Sequence, residues 1–521
     1  MHDQSIAKAY EAMTADRDAF LSRARACAEL TIPTLMPPEG HSGSTQFNTP
    51  FQSVGARGVN NLASKLLVTL LPPNTPFFRL TIDDFDLVEL GGDARGKAEE
   101  ALARIERSAT QIVESKAIRV PTFEALKQLI NSGNALIYMP PKEGMKVFRL
   151  DRYVVQRDTM GNMLKIIVKE TIAYDALPKE IKEALLENPE YQADTNKKEC
   201  DLYTCVRRVG NKFEVHQEVH GIIIPASKGS YKQENLPWLA LRFIAVDGED
   251  YGRGFVEEYA GDLKSLESLT RAIVEGSAAS AKLLFMVRPN GTTKIRNIAD
   301  SPNGAIISGD ANDVTTLQAN KFNDFRVAQE TMNTITERMS YAFLLNSSVQ
   351  RNAERVTAEE VRFMAQELET ALGGIYSVLS QEFQLPLVNL LLGKMQKEGK
   401  MPKFPKDTLK PQIVTGLEAL GRGQDLNKLS SFLQMLQPLG QEVIASELNI
   451  GDYLDRLGAS LGIDTQGLVK SDEQKQQEMQ QQQEMMQQQQ MMQMAQAAAP
   501  NAMKAVGDMG QEGAAQLAEE E

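Results

Sequence analysis

Apolar residues at Ile6, Tyr10, Met13, Phe20, Ala24 and Cys27 recur at intervals of three, four and seven. That spacing predicts an amphipathic helix over about 4–30, stopped by Pro33, with Cys27 as a small core residue. A polar stretch to Pro50 follows, and a second helix is expected from about Ser53 until Pro72 and Pro73 forbid its continuation. Between 77 and 250 the texture is mixed. FFRLTI from Phe77, ALIYM from Ala135, KIIVKE from Lys165 and FEVHQEV from Phe213 read as strands, whereas 97–115 and 178–187 read as helices. An α+β domain is expected here.

Past Gly254 the period lengthens. Phe255, Tyr259, Leu263, Leu266, Thr270, Ile273 and Ser277 mark one face of a helix predicted over 255–283, whose small-residue end, GSAASA from Gly276, suits close helix contact. A turn-rich insert follows, with PNG at Pro289 and again at Pro302 and strand candidates Ala305–Ser308 and Val314–Leu317. Phe325, Ala328, Met332, Ile335, Met339 and Ala342 then predict a helix over 323–345. NSSVQRNAER from Asn346 has no apolar period and reads as a loop. Thr357 with Glu360 forms a capping box, and Val356 with Val361 a hydrophobic staple, opening a helix whose core face runs through Met364, Leu368, Leu372, Ile375, Leu379 and Phe383 to Pro386. Gly373 and Gly374 interrupt it, and a hinge is expected there. Residues 402–470 read as several short helices. From 471 to 500 the chain holds 13 Gln and 6 Met, either a helix that needs a partner or a disordered tail.

Composition narrows the function classes. At roughly 150 residues per domain, 521 residues make about three or four folding units. A net charge of −13 excludes a basic surface for nucleic acid or anionic membrane, and nine acidic against two basic residues after 470 supply much of it. Three cysteines, Cys27, Cys200 and Cys205, fit a reducing compartment and not a disulfide framework. The start of the chain, with Asp3, Glu11, Asp16 and Asp18, lacks a secretory apolar core. The run Leu66–Leu71 is far short of the ~20 apolar residues a membrane span needs.

Candidate chemistry is thin. GGDARGKA from Gly91 has the spacing of a phosphate-binding loop, with Asp247 as a conceivable metal-binding acid, but Ala98 replaces the hydroxyl after Lys97 that would hold Mg²⁺. A surface turn into a helix is expected instead. Cys200, Cys205, His216 and His220 approach zinc-finger spacing, yet FEVHQEVHG reads as a strand, which sets the two histidines ~13 Å apart. A hairpin turning at Gly210–Asn211 fits better. None of His2, His41, His216 and His220 sits in a triad context, so no catalytic residue, metal or cofactor is expected. Arg351 and Arg355, with Lys321, Arg326, Arg338 and Arg362 near them in sequence, read on charge alone as solvated.

Three runs change that weighting: SVGARGVNNLASKLLVTLLPPNTPFFRL from Ser53, VDGEDYGRGFVEEYAGDLKSLESLTRAIVEGSA from Val246 and ERVTAEEVRFMAQELETALGGIYSVLSQEFQLPLV from Glu354. Together with TGLEALGRGQDL from Thr415, they resemble the portal, or head-to-tail connector, proteins of short-tailed, T7-like bacteriophages. The resemblance implies a mainly helical α+β subunit: a wing over 1–254 and 357–401, stem helices over 255–285 and 322–345, a small α/β clip over 286–321, a channel loop over 346–356, a helical crown over 402–470, and a barrel helix or disordered tail over 471–521. It implies a homododecameric ring at one capsid vertex of the virion, made in the host bacterial cytoplasm, through which double-stranded DNA is packaged and ejected.

Implied partners are the major capsid protein, scaffolding protein, terminase large subunit, tail adaptor, internal core proteins and DNA bound without sequence preference, with no membrane. By the same resemblance Asn346, Ser347, Ser348, Val349, Gln350, Arg351, Asn352 and Arg355 face the channel, with Arg362 adding to it. Gly373 and Gly374 form the hinge, and Arg288, Lys294 and Arg296 of the clip meet the motor and the tail. The alternatives are a nucleotide-driven DNA translocase subunit, which needs Lys97, or a cytosolic helical scaffold with no DNA role.

Overall fold

The computed structural model describes residues 5–73, 76–81, 92–140, 144–187, 198–280, 284–317, 322–345, 358–399, 412–415, 422–439, 448, 450–461, 468–470, 474 and 477–491. The chain forms two compact units, one of residues 1–89 and 101–423, the other of 90–100 and 424–521.

In the first unit, α1 (Ile6–Glu29) buries the predicted stripe, including Ile6, Tyr10, Leu21, Ala24 and Cys27. Burial pushes the Cys27 thiol up to about 12. The Glu218 carboxylate accepts from Ile6 N at 3.0 Å and from the Ser5 hydroxyl, so an acid sits at the positive end of the helix. α2 (Val54–Leu70) buries most of its surface, with Val59, Leu62, Ala63, Leu66 and Leu70 sealed from solvent, while Arg57, Asn60 and Ser64 line an exposed polar face. β1 (Phe78–Thr81), α3 (Gly92–Ser115), whose residues up to Glu100 are counted in the second unit, and α4 (Arg119–Ser132) follow, and α4 ends at Gly133, whose φ of 74° suits a left-handed cap.

The strands form separate sheets. β2 (Asn134–Tyr138) lies between β3 (Lys146–Phe148) and β9 (Trp238–Arg242). β4 (Tyr153–Arg157), β5 (Met163–Ala173), β6 (Glu199–Val209), β7 (Lys212–Val219) and β8 (Ile222–Lys232) make an antiparallel meander in chain order. β6 and β7 turn at Gly210–Asn211, where Gly210 has φ 60°, as the sequence predicts. α5 (Lys179–Leu186) packs Ile181 and Leu185 against Cys200, Leu202 and Val219 of this sheet.

The long helix expected over 255–283 is split. α6 (Phe255–Glu258) stops at Tyr259, whose ring turns onto Phe255, and α7 (Ala260–Ser280) continues. The insert then begins with a strand that the all-apolar LFMV did not distinguish from helix: β10 (Leu284–Val287) pairs antiparallel with β11 (Val314–Leu317), Val287 opposite Val314. Between them lies the short helix α8 (Ile295–Ala299). The expected strand Ala305–Ser308 does not form. The chain turns at Gly304, φ 84°, no described strand pairs with the segment, and Ile306 is fully exposed.

After α9 (Phe322–Ala342), α10 (Ala358–Ala371) and α11 (Ile375–Leu379), the helix does not stop at Pro386. A π turn over Ser380–Gln384 carries it into α12 (Leu385–Lys397), with Leu385 N–H bonding Ser380 O and Pro386 in the first turn, where its missing N–H is tolerated. Thr357 and Val356 of the expected capping box and staple lie outside the described residues, while Val361 is buried. β12 (Gln412–Thr415), in a stretch read only as helices, pairs with β1. In the second unit, α13 (Arg422–Leu436) and α14 (Ile450–Leu461) touch where the Tyr453 hydroxyl donates to Leu429 O at 3.4 Å. Residues 477–491 are helical and exposed, with Met479, Met485, Met486 and Met491 open to solvent.

Candidate functional site

α7 and α9 lie against each other. Leu263, Leu266, Ile335 and Met339 are buried, Thr270 Oγ1 donates to Met332 Sδ at 3.5 Å, and Arg338 Nη2 meets Asp262 Oδ1 at 3.0 Å. Gly276, the first of the small run, lets the Phe325 ring in: a Cβ there would lie 2.8 Å from it. Ser277, Ala278 and Ala279 remain exposed, so among the described residues no helix lies against most of the small run.

The foot of this helix pair is pinned to α2. Phe343 is sealed, its ring 5.5 Å from Phe255 and 5.9 Å from Tyr259, and a Cβ on Gly58 would come 2.5 Å from it. Asn61 Nδ2 donates to the backbone oxygens of Phe343 and Leu344, both at 3.0 Å. Leu344, at φ 54°, takes the left-handed turn that ends α9, and Leu345 N closes it onto Ser340 O at 2.8 Å. Asn346, Ser347, Ser348, Val349, Gln350, Arg351, Asn352 and Arg355 lie outside the described residues, as does Lys321.

The chain returns to the same helix. On α10, Val361 and Met364 pack on Val68, and Glu367 Oε2 lies 3.2 Å from Lys65 Nζ. Lys65 is buried in α2, its side chain 8% exposed. Arg362 is half-buried on α10. Gly373 and Gly374, at φ 60° and 92°, separate α10 from α11, and among the described residues a Cβ on either would meet nothing within 4 Å. Across the break, Glu369 accepts from Ser377 N at 3.2 Å and Ser377 Oγ at 2.6 Å, capping α11 from the helix before it. Beyond it, Tyr376 and Gln384 donate to Thr69 O and Leu70 O at 3.2 and 2.7 Å, satisfying carbonyls that the end of α2 leaves open. Glu382 holds Arg242 through backbone N and guanidinium at 3.2 and 3.3 Å.

The insert is built around Asp313. Its Oδ2 accepts from Thr292 Oγ1, Thr293 N and Thr293 Oγ1, each at 3.2 Å, and a Cβ on Gly291 would lie 2.4 Å from the carboxyl carbon. Burial pushes the carboxyl up, but the bonds from Thr293 and Thr292 more than offset it and hold it below the usual carboxylate range. Arg288, Lys294 and Arg296 are all exposed on this insert. Arg288 N donates to Asp313 O at 2.9 Å, and Arg296 lies 3.9 Å from Asp300.

The remaining candidates do not converge. Gly92 to Lys97 are already helical in α3, not the open loop that wraps a phosphate. Asp247 sits in a turn lining a cavity of about 530 Å³, where Arg157 is spent on Asp250 O, Gly161 O and Ala240 O. Cys205 pairs across the sheet with His216, Cys200 lies in the Leu177 cluster, and His220 occupies a turn at φ 45°. Among the described residues, no three His, Cys, Asp or Glu could share a metal ion. Gly58, Asn61, Lys65 and Glu369 were not singled out from sequence. Lys65 carried one signal, a lone charge inside the apolar LASKLLVTLL.

A profile of the family described as bacteriophage head to tail connecting protein matches residues 3–469. The portal protein of Escherichia phage T7 is 43% identical over 480 residues, 90% of this chain and 89% of that protein. The portal protein of Enterobacteria phage T3 is 44% identical over 479 residues, with the same two coverages, and that of Enterobacteria phage SP6 is 32% identical over 483 residues, 91% of each chain. With its profile spanning nearly the whole chain and its α+β, mainly helical subunit, the chain belongs to the bacteriophage head-to-tail connecting, or portal, protein family.

Proposed function

We propose that this portal subunit closes into a dodecameric ring at one capsid vertex and that its loop over 346–356 lines the channel for double-stranded DNA. One observation carries the loop assignment. The segment leaves α9 beside Asn61 and re-enters at α10, whose Val361 in the first turn packs on Val68, so two helices hold its ends against one helix, α2. A loop framed so firmly, mostly polar and bearing Arg351 and Arg355, suits contact with phosphate. The net charge of −13 per subunit would leave most of the ring repelling DNA and keep such contacts local.

On this reading α7 and α9 form the stem, β10, α8 and β11 the clip, residues 1–254 and 357–401 the wing, 402–470 the crown, and 471–521 a barrel helix or tail. Gly373 and Gly374 act as the hinge and Arg362 adds a further basic position. Arg288, Lys294 and Arg296 would dock the terminase large subunit and later the tail adaptor. The capsid, scaffolding and internal core proteins would meet the rest of the ring. The protein is structural, and ATP hydrolysis resides in the separate motor.

Electron microscopy of the purified chain, alone and with duplex DNA, tests this. A closed ring with 346–356 facing the axis is expected. Monomers, open filaments, or a ring with the loop on its outer wall would overturn it.

A further inference from the structure

Glu267 is an acid at a core position of α7. It shares a helix face with Leu263 and Leu266 and is 9% exposed, where patterning alone calls for an apolar residue. Its carboxylate serves a different helix. Oε2 accepts from Gln52 N at 3.1 Å, 215 positions away, and Oε1 accepts from Arg271 Nη2 at 3.2 Å. Gln52, just ahead of α2, accepts through its side chain from Gly55 N at 2.9 Å and donates to Leu30 O at 2.6 Å. Ser53 makes no side-chain cap, so Gln52 caps α2 instead, with the charge of Glu267 at the positive end of that helix. A Cβ on Gly55 would lie 2.5 Å from Leu30 O, which sets the start of α2 hard against the end of α1. About 12 Å back along α7 the helix breaks at Tyr259, where the rings of Phe255, Tyr259 and Phe343 cluster over Gly58. Aromatic contacts tolerate several ring geometries, whereas a hydrogen bond to a backbone N–H does not survive a swing of the helix. Packing beside Glu267 and Arg271 is also incomplete: a cavity of about 430 Å³ lies there, walled by Leu30, Met36, Phe47 and Pro50. On that side interdigitation leaves the direction of α7 open, and the polar tie supplies it.

We infer that Glu267 is a positioning residue: bonded to Gln52, it fixes the direction in which α7, with α9 packed along it, leaves α2. The aromatic cluster is the pivot, and the carboxylate is the stay that holds the angle. Its bearing on DNA rests on the stem reading proposed above, since helices that swing alike in every subunit change the width of a ring.

Hydrogen exchange on the purified full chain tests the stay independently of the ring. Glu267→Ala should speed exchange of amides 51–56 by about tenfold or more, while 339–343 at the pivot keep parent rates. Glu267→Gln keeps an acceptor for Gln52 N without the charge, so it should raise the same amides by about threefold, and it reads the tie even where the alanine chain does not fold. Electron-microscopy maps should show the angle between α7 and α2 shifted in Glu267→Ala and returned toward the parent in Glu267→Gln. Unchanged exchange of 51–56 in both variants, an equal rise in 339–343, or an unchanged angle in Glu267→Ala would overturn the inference. DNA retention by the same particles is a separate readout: a shifted angle with unaltered retention keeps the positioning role and removes the stem reading.

Discussion

Asp313 is the residue where pH reads the fold most directly. Its carboxyl is held below the usual range by Thr292 and Thr293. A depressed folded value stabilises the insert above the unfolded carboxylate pKa of about 3.9, and the benefit fades as pH falls through the folded value. Asp313→Asn should therefore loosen the insert at neutral pH, with the difference from the parent closing below about pH 4. Limited proteolysis of 288–313 across pH is the measurement, and a difference that grows on acidification would contradict it. Individual residues of this kind were the least legible in the sequence. Asp313, Asn61 and Lys65 act through partners about 20, 282 and 302 positions away, and no local pattern encodes such meetings. What was legible was the stripe each helix buries, from Ile6 on α1 to Phe383 in the π turn.

Among elements, legibility followed length. Long periodic helices declared themselves, and so did the break at Gly373–Gly374. The four-residue strands β10 and β12 did not, because so short an apolar run takes its state from a distant partner. Ala305–Ser308 erred the opposite way: a strand-like composition that no described edge receives. Pro386 was read as a terminator, which the π turn before it makes unnecessary. The glycine pair bears on movement. At φ 60° and 92° an added Cβ costs about 1–2 kcal/mol per residue in the left-handed region. Gly373→Ala with Gly374→Ala should disfavour the present break and shift α10 and α11 toward one continuous helix. The angle between them in an electron-microscopy map decides it, and an unchanged angle would mean that Glu369 and Ser377 fix the bend by themselves.

Over the whole chain, charge and the C-terminal segment set the expectations. Arg351→Glu with Arg355→Glu should give normal rings that lose packaged DNA, with the defect changing as salt is raised, since screening within ~8 Å at physiological ionic strength governs such contacts. Retention equal to the parent at all salt concentrations would remove the two arginines from the channel. Deletion of 471–521 should leave ring assembly intact, because the helical residues 477–491 are exposed along their whole length. Native mass spectrometry showing only monomer would make the tail an assembly element. Anchoring both ends of one loop on α2 also sets a geometric limit. The twelve residues between Leu345 and Ala358 span at most about 40 Å when fully extended, so an out-and-back excursion reaches about 20 Å from its tether. That is an upper bound on how far the chain can protrude while both anchors hold. Any constriction deeper than this leash allows must be made by α10 itself leaving its seat.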